Sequence, residues 1–279
     1  MRFVKMHGAG NDYVYIDGFS TPVADPAALA VAVSDRHFGI GSDGLILILP
    51  SSVADVRMRM FNSDGSEAEM CGNGVRCVAK YAYDHGLVKG REITVETGAG
   101  IKALQLFTNS VDKVEGVRVN MGPPRLSRGE IPMTGAPAES VVNEELAILD
   151  RTFTITCVSM GNPHCVIFVE SVADFPVEKY GPRIETHPLF PRRTNVEFVE
   201  VVSRREVRQR TWERGAGETL ACGTGASAVV VAGVLTGRTE RTLRNILLGG
   251  PLEMEWIENG PVFMTGPAVQ VFAGDYDPQ

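Results

Sequence analysis

Two glycine-flanked cysteines stand 151 residues apart, and the residues around them keep the same spacing. Asp64-Gly-Ser-Glu-Ala-Glu-Met-Cys71-Gly-Asn-Gly-Val-Arg-Cys77 runs into an apolar stretch that ends at Gly86. Gly215-Ala-Gly-Glu-Thr-Leu-Ala-Cys222-Gly-Thr-Gly-Ala-Ser runs into another that ends at Gly237. Glu67 and Glu218 share the offset. So do Gly10-Asn11 and Gly161-Asn162, each just ahead of a strand-like run, Tyr13-Val-Tyr-Ile-Asp17 and His164-Cys-Val-Ile-Phe-Val169. Both halves close on a similar turn, Met121-Gly-Pro-Pro and Met264-Thr-Gly-Pro, where the register slips. A register held over so long a span means two copies of one α/β unit, related by duplication.

Within each copy the pattern reads loop, strand, and a second strand (44–49 or 195–201), then the Cys-Gly-x-Gly loop opening a helix (74–85 or 225–235). Further strands are expected at 92–96 and 251–256. The two helices are apolar almost all round, which calls for burial inside a wrapping sheet. The Pro-, Gly- and Glu-rich stretch 125–150 reads as a crossing segment between the halves.

A formal charge of −7 argues against nucleic acid or an anionic membrane as partner, since both surfaces are themselves negative. An anionic substrate must then be held by local donors rather than by a basic field. Met1-Arg2-Phe3-Val4-Lys5 leads directly into a strand-like pattern with no leader segment, and the most apolar run, 226–235, is too short to span a bilayer. A cytoplasmic protein is expected. The five cysteines then read as free thiols in a reducing compartment, and their spacing offers no zinc site.

The first turn of a helix leaves backbone N–H groups without internal partners and carries roughly half a positive charge. Flanking glycines let a carboxylate approach those groups, so such a loop binds an anion without any basic side chain. A cysteine there is expected to have its thiolate stabilised. Two such cysteines, one from each copy, suit removal of a proton from one face of a carbon and delivery of another to the opposite face. Two thiolates close together repel, so the pair is expected to titrate in coupled steps.

At these residues the chain resembles diaminopimelate epimerases over essentially its whole length. The resemblance rests on Lys5-Met-His-Gly-Ala-Gly-Asn-Asp12, Asn62-Ser-Asp-Gly-Ser, Cys71-Gly-Asn-Gly-Val-Arg-Cys77, Gly161-Asn-Pro-His164 and Glu213-Arg-Gly-Ala-Gly-Glu-Thr-Leu-Ala-Cys222-Gly-Thr-Gly. With the repeat, it implies an α/β (α+β) fold of two pseudo-symmetric domains, 1–120 with 268–279 and 121–267. Each would be a mostly antiparallel sheet around a central buried helix, with the active site in the cleft between them. It implies interconversion of LL- and meso-2,6-diaminopimelate, in lysine and peptidoglycan-precursor synthesis, by a homodimer without pyridoxal phosphate, metal or other cofactor.

The resemblance also carries roles. Cys71 and Cys222 match the acid/base pair, with His164 and Glu213 assisting beside them. The backbone of Gly72-Asn73 and Gly223-Thr224 matches the cradle for the reacting carboxylate. Asn11, Asn62, Asn162, Asn195, Glu213 and Arg214 match the residues that hold the remaining groups of the substrate. That set suits a molecule with two zwitterionic ends: amides, one carboxylate for an ammonium, and one guanidinium for a far carboxylate. Where many members have Gln, this chain has Gly44, so that position receives no side-chain role. Thr224 stands where Ser is common and keeps the hydroxyl.

Cys77, Cys157 and Cys165 are assigned to packing and His7 to a structural role. His37, His85 and His187 are assigned to the surface, and Arg76 and Lys80 to a solvated helix flank. A proline or hydroxyproline racemase-like enzyme would also use two cysteines, but its cyclic substrate lacks the distal group that Glu213, Arg214 and the asparagines suit. A thiol hydrolase using one cysteine with His164 leaves the second cysteine unexplained, and a bare anion-binding module needs neither.

Overall fold

The computed structural model describes residues 1–277. The chain folds as two compact units, Met1–Asn120 joined by the chain from Thr265 onward, and Met121–Met264. The first unit contains β1 (Arg2–Gly8), β2 (Asn11–Asp17), α1 (Pro26–Ser34), β3 (Gly44–Leu49), β4 (Val56–Asn62), β5 (Glu67–Ala68), α2 (Gly72–Asp84), β6 (Glu92–Thr97), β7 (Gly100–Thr108) and β8 (Val114–Gly122). The second contains β9 (Glu144–Ile148), β10 (Arg151–Ser159), β11 (Pro163–Val169), α3 (Val177–Glu185), β12 (Asn195–Ser203), β13 (Glu206–Glu213), β14 (Gly217–Thr219), α4 (Gly223–Leu235), β15 (Thr242–Leu247) and β16 (Gly250–Trp256). The chain leaves the first unit within β8 and returns to it within β17 (Val262–Pro267), after which β18 (Val269–Asp275) pairs antiparallel with β1.

The two units share one internal topology. β1–β2 and β10–β11 are antiparallel hairpins, followed by the parallel neighbours β2–β3 and β11–β12. β4 lies antiparallel to β3 and parallel to β6; β13 lies antiparallel to β12 and parallel to β15. Parallel neighbours need a crossover, and the helices supply it: α1 and α3 bridge the first parallel pair of each unit, α2 and α4 the second. The pairs β4–β5, β6–β7, β7–β8, β9–β10, β13–β14 and β15–β16 are antiparallel, so each unit is mixed but mainly antiparallel.

The apolar composition of α2 and α4 has the expected consequence. α2 touches β1, β2, β3, β4, β6 and β7, and α4 touches β10, β11, β12, β15 and β16, so each helix lies in the hollow of its own sheet. Asn73 to Ala79 of α2 and Ala226 to Gly233 of α4 are buried without a break. Each helix ends at a glycine in the left-handed region, Gly86 (φ 75°) and Gly237 (φ 71°), which a β-carbon would strain. The opposite faces carry their own cores: Val14, Ile16, Leu45, Leu47 and Phe61 with α1, and Ile155, Ile167, Phe175, Tyr180 and Phe198 around α3.

Two expectations fail. Residues 125–150 do not form a bare crossing segment. Arg125 bridges Ser159, Ser127 bridges Ser140, and Ile131, Met133, Val141, Leu146 and Ile148 enter the core of the second unit. The Pro and Gly content read as linker is spent on turns between these anchors. Arg76 is not on a solvated flank either; it is wholly buried, and Lys80 is mostly covered, bonded to Asp84 and to the Val114 carbonyl.

α3 seats against β13 through Gly181, where an added β-carbon would lie 2.6 Å from Cγ of Trp212. The indole cannot retreat freely because its Nε1 donates to Glu185 Oε2 at 2.7 Å. Alanine at 181 gains about 0.5–1 kcal/mol of helix propensity and loses about 1–3 kcal/mol to overpacking. Gly181→Ala is therefore expected to destabilise the protein, read as a lower urea midpoint with unchanged slope.

Candidate active site

Each cysteine of the repeat caps its helix. Cys71 and Cys222 have extended backbones (φ −131° and −120°), and their sulfurs accept from the N–H three residues on, Gly74 and Gly225, both at 3.4 Å. Gly72-Asn73 and Gly223-Thr224 thus form the first turns, where N–H groups have no partner four residues back. Two glycines of these turns are closely packed: a β-carbon on Gly223 would meet Met264 Sδ at 3.0 Å, and one on Gly74 would meet Ile46 at 2.7 Å.

In the first unit, the Cys71 sulfur lies 3.2 Å from Asn11 Oδ1. Gly10, at φ 82°, turns the chain between β1 and β2 so that Asn11 faces the start of α2. The Asn11 amide nitrogen donates to Asp43 at 2.7 Å, which orients its oxygen toward the thiol. Asp43 is in turn paired with Arg36 at 3.0 Å, and Arg36 also reaches Asp12. Buried Arg76 holds the turn from below, donating to the Gly72 carbonyl (3.0 Å), Asn73 Oδ1 (3.0 Å) and the Pro267 carbonyl (3.1 Å). Asn62 lies at the end of β4, donating to Ser66.

In the second unit, Gly161 (φ 97°) repeats the turn of Gly10 and presents Asn162. Its amide nitrogen donates to Thr224 Oγ1 at 3.2 Å, and Thr224 Oγ1 lies 3.5 Å from the Cys222 sulfur. Asn162 Oδ1 faces His164 Nε2 at 3.0 Å, and His164 Nδ1 faces Glu197 at 2.8 Å. Glu213, at the end of β13, accepts from Thr219 at 2.6 Å. Asn195 is buried, with its nitrogen on the Pro163 carbonyl and its oxygen accepting from the Arg214 N–H. It therefore fixes the loop that carries Glu213 and Arg214. The Arg214 side chain is exposed and donates to the Arg192 carbonyl.

The surroundings of Cys222 act strongly on its thiol. Burial pushes Cys222 well above the ordinary thiol range, Glu213 and Glu197 push it further, and the Thr224 hydroxyl and the Gly225 N–H only partly oppose them. The expectation that a helix start lowers the thiol fails at Cys222, because desolvation and two nearby carboxylates outweigh one turn of backbone dipoles. Cys77 is pushed up to about 11 by burial, and Cys165, hydrogen-bonded to the free thiol of Cys157 and buried, is raised as well, in keeping with packing roles for these three.

Residues absent from the sequence reading complete the picture. Arg59 clasps Glu67 through two bonds (2.7 and 2.9 Å), and Arg210 clasps Glu218 likewise (2.6 and 2.9 Å). These bidentate pairs tie β5 to β4 and β14 to β13, four residues ahead of each cysteine. The arginines share the 151-residue offset of their glutamates, a signal present in the sequence. Glu197 and Asp43 were less visible; Glu197 lies in a strand buried on both faces, where no alternation marks it out.

Cys71 is partly exposed and Cys222 is buried and protonated. Partial labelling of the unliganded protein with iodoacetamide at pH 7.5 is therefore expected to modify Cys71 before Cys222, read by peptide mass spectrometry. Equal labelling of both would contradict the burial and the raised thiol described for Cys222.

The diaminopimelate epimerase family profile matches residues 3–127 and 156–271. A diaminopimelate epimerase from Acetivibrio thermocellus is 57% identical over 278 residues, covering 99% of both chains. One from Agathobacter rectalis is 55% identical with the same coverage, and one from Methanococcus maripaludis is 55% identical over 99% of this chain and all of its own. Among solved structures, a PhzF-family phenazine biosynthesis protein of Bacillus anthracis superposes with a TM-score of 0.70 at 16% identity, covering 98% of each chain. A probable proline racemase from Agrobacterium radiobacter does so with a TM-score of 0.69 at 15% identity, over all of this chain and 93% of its own. At such identities these two share the fold alone. Two cysteine-capped helices in a duplicated fold, and relatives above half identity along the full length, place the chain in the diaminopimelate epimerase family.

Proposed function

We propose that this protein interconverts LL-2,6-diaminopimelate and meso-2,6-diaminopimelate, with Cys71 and Cys222 as the base and acid on opposite faces of one α-carbon. The observation that carries the reading is the pair of helix-capping cysteines at equivalent positions in the two units. In the reaction, one thiolate takes the α-hydrogen as a proton, and the C–H electron pair passes into the adjacent carboxylate. The opposing thiol delivers a proton to the other face, so the new C–H bond has inverted configuration and the second sulfur is left as the thiolate. Atoms and charge balance with the two sulfurs, whose roles exchange in the reverse direction.

The α-carboxylate is proposed to sit on the N–H groups of Gly72-Asn73 and Gly223-Thr224, where backbone dipoles stabilise the charge that develops on it. Because Cys222 is held protonated in the unliganded protein, it is proposed to start as the acid, with Cys71 as the base. Asn11, Asn62 and Asn162 supply amides for the substrate, Glu213 an acceptor for an ammonium group and Arg214 a donor for the distal carboxylate. Asn195 contributes by holding the Arg214 backbone. His164 and Glu213 assist beside the Cys222 end. This reading extends to a cytoplasmic homodimer that serves lysine and peptidoglycan-precursor synthesis.

Incubation with LL-diaminopimelate in heavy water tests the proposal. Deuterium is expected to appear at the α-carbon with formation of the meso isomer and no loss of total diaminopimelate. L-proline under the same conditions is expected to remain undeuterated; exchange on proline with none on diaminopimelate would transfer the activity to the racemase class. Cys71→Ser and Cys222→Ser are each expected to slow epimerisation on the order of a thousandfold or more. Turnover near the wild-type rate in either variant would remove the two-thiol scheme.

A further inference from the structure

Where the register holds, the duplication supplies an internal control, and it brings out a difference beside the second thiol. At the 151-residue offset, His164 corresponds to Tyr13 and Glu197 to Ile46. The slot is the same in both units: a β-carbon on Gly74 would lie 2.7 Å from Ile46 Cδ1, and one on Gly225 would lie 2.6 Å from Glu197 Oε1. A carboxyl group therefore fills, under the start of α4, the place that an isoleucine methyl fills under α2. Its exposure is 0%. Its second oxygen has no hydrogen-bond partner among the described residues. Nothing in the fold requires a carboxyl there, since the other unit packs without one.

The hydrogen bonds around it fix where the protons are. Asn162 donates through Nδ2 to Thr224, so its oxygen faces His164 Nε2. That oxygen only accepts, so Nε2 carries a hydrogen. On the other side of the ring, Nδ1 lies 2.8 Å from Glu197 Oε1. A neutral ring with hydrogen on Nε2 and an ionised Glu197 would set two lone pairs against each other. A second proton therefore sits between Nδ1 and Oε1, as imidazolium with carboxylate or as imidazole with carboxylic acid. The proton count and the net charge of zero are the same in both.

We infer that Glu197 is a positioning residue for the second thiol: by sharing one proton with His164 it keeps Nε2–H a donor to Asn162, which locks the Asn162 amide with its nitrogen toward Thr224 beside Cys222. The inference rests on the two-thiol reading for its effect on rate, and on the hydrogen-bond geometry alone for its proton count. The titratable groups facing the pair are Cys165 on β11, Glu213 on β13 and Cys222 at the start of α4. Burial favours the uncharged carboxyl, His164 favours the charged one, and Glu213 adds to the effect of burial. Gln209 and Gly225, the neutral neighbours, do not change the count.

The test is Glu197→Ile, which copies the first unit into the second, with Glu197→Gln as the rescue. The Gln amide can donate to Nδ1 and so keep the hydrogen on Nε2. For the Ile variant the expected result is a melting temperature at or above that of the unaltered protein, a KM within about threefold, and a kcat at least tenfold lower with an altered pH profile. Glu197→Gln is expected to recover at least fivefold over Ile. A kcat for Ile within twofold of the unaltered protein from pH 6.5 to 9 would overturn the inference. So would equal losses in both variants accompanied by a lower melting temperature, which is the signature of a merely structural group.

A measurement on the unaltered protein decides the matter even if the Ile variant does not fold. In ¹⁵N-histidine NMR, the His164 Nε2–H is expected to persist from pH 6 to 9, with Nδ1 showing a shared proton. Loss of the Nε2–H within that range would overturn the proposal. If the unaltered protein showed this signature but failed to exchange deuterium into diaminopimelate, the fault would lie with the epimerase reading rather than with the proton pair.

Discussion

The chemistry rests on one local contact made twice: a sulfur accepting the backbone N–H three residues on, at the mouth of a helix buried in its own sheet. Serine or aspartate would cap such a helix better, since oxygen is the stronger acceptor. A cysteine in that position marks a site where reactivity outweighs capping strength. Burial of the helix makes the cap matter more. With α2 and α4 enclosed by strands, their first turns cannot fray into solvent, and the caps, the glycines and the Arg–Glu clasps of β4–β5 and β13–β14 all act on the same few residues.

Much of this was legible in the sequence because duplication writes every constraint twice. The capped helices, the strands before and after them and the Gly-Asn turns of Gly10 and Gly161 all follow from the repeated register and from apolar periodicity. What escaped was whatever depended on burial. Arg76 looks like a cation on the solvated flank of its helix, yet it is the hub that fastens the first turn of α2. Glu197 sits in a strand with apolar residues on both sides, so alternation could not expose it. Cys222 occupies the kind of position that lowers a thiol's pKa; only its surroundings, two carboxylates and little water, reverse the sign. Asn195 reads as a polar residue free to meet a ligand, while its two ends are already engaged with backbone.

The two units have also drifted apart in a consistent direction. Under α2 the strands β3 and β4 present Ile46, Met58 and Met60; at the matching positions under α4 stand Glu197, Gln209 and Thr211, all buried. Gln209 bonds Thr211 and Asn245, so the second unit carries a polar seam where the first has plain packing. Such a seam costs stability unless its members are satisfied. Its presence in only one of the two units means that the halves, alike in backbone, are not alike in electrostatics.

The pairing of β18 with β1, sealed by mutual bonds between Met1 and Tyr276, also orders events during synthesis. The second unit is continuous, so once residue 264 has cleared the ribosome its strands and α4 can close around one another. The first unit, although translated earlier, lacks its edge strand until residues 269–275 emerge, and its β1 edge stays unpaired meanwhile. An open strand edge is a site of wrong pairing between chains. The half made first is therefore the half finished last, and slow elongation or crowded polysomes would threaten it before they threaten its twin.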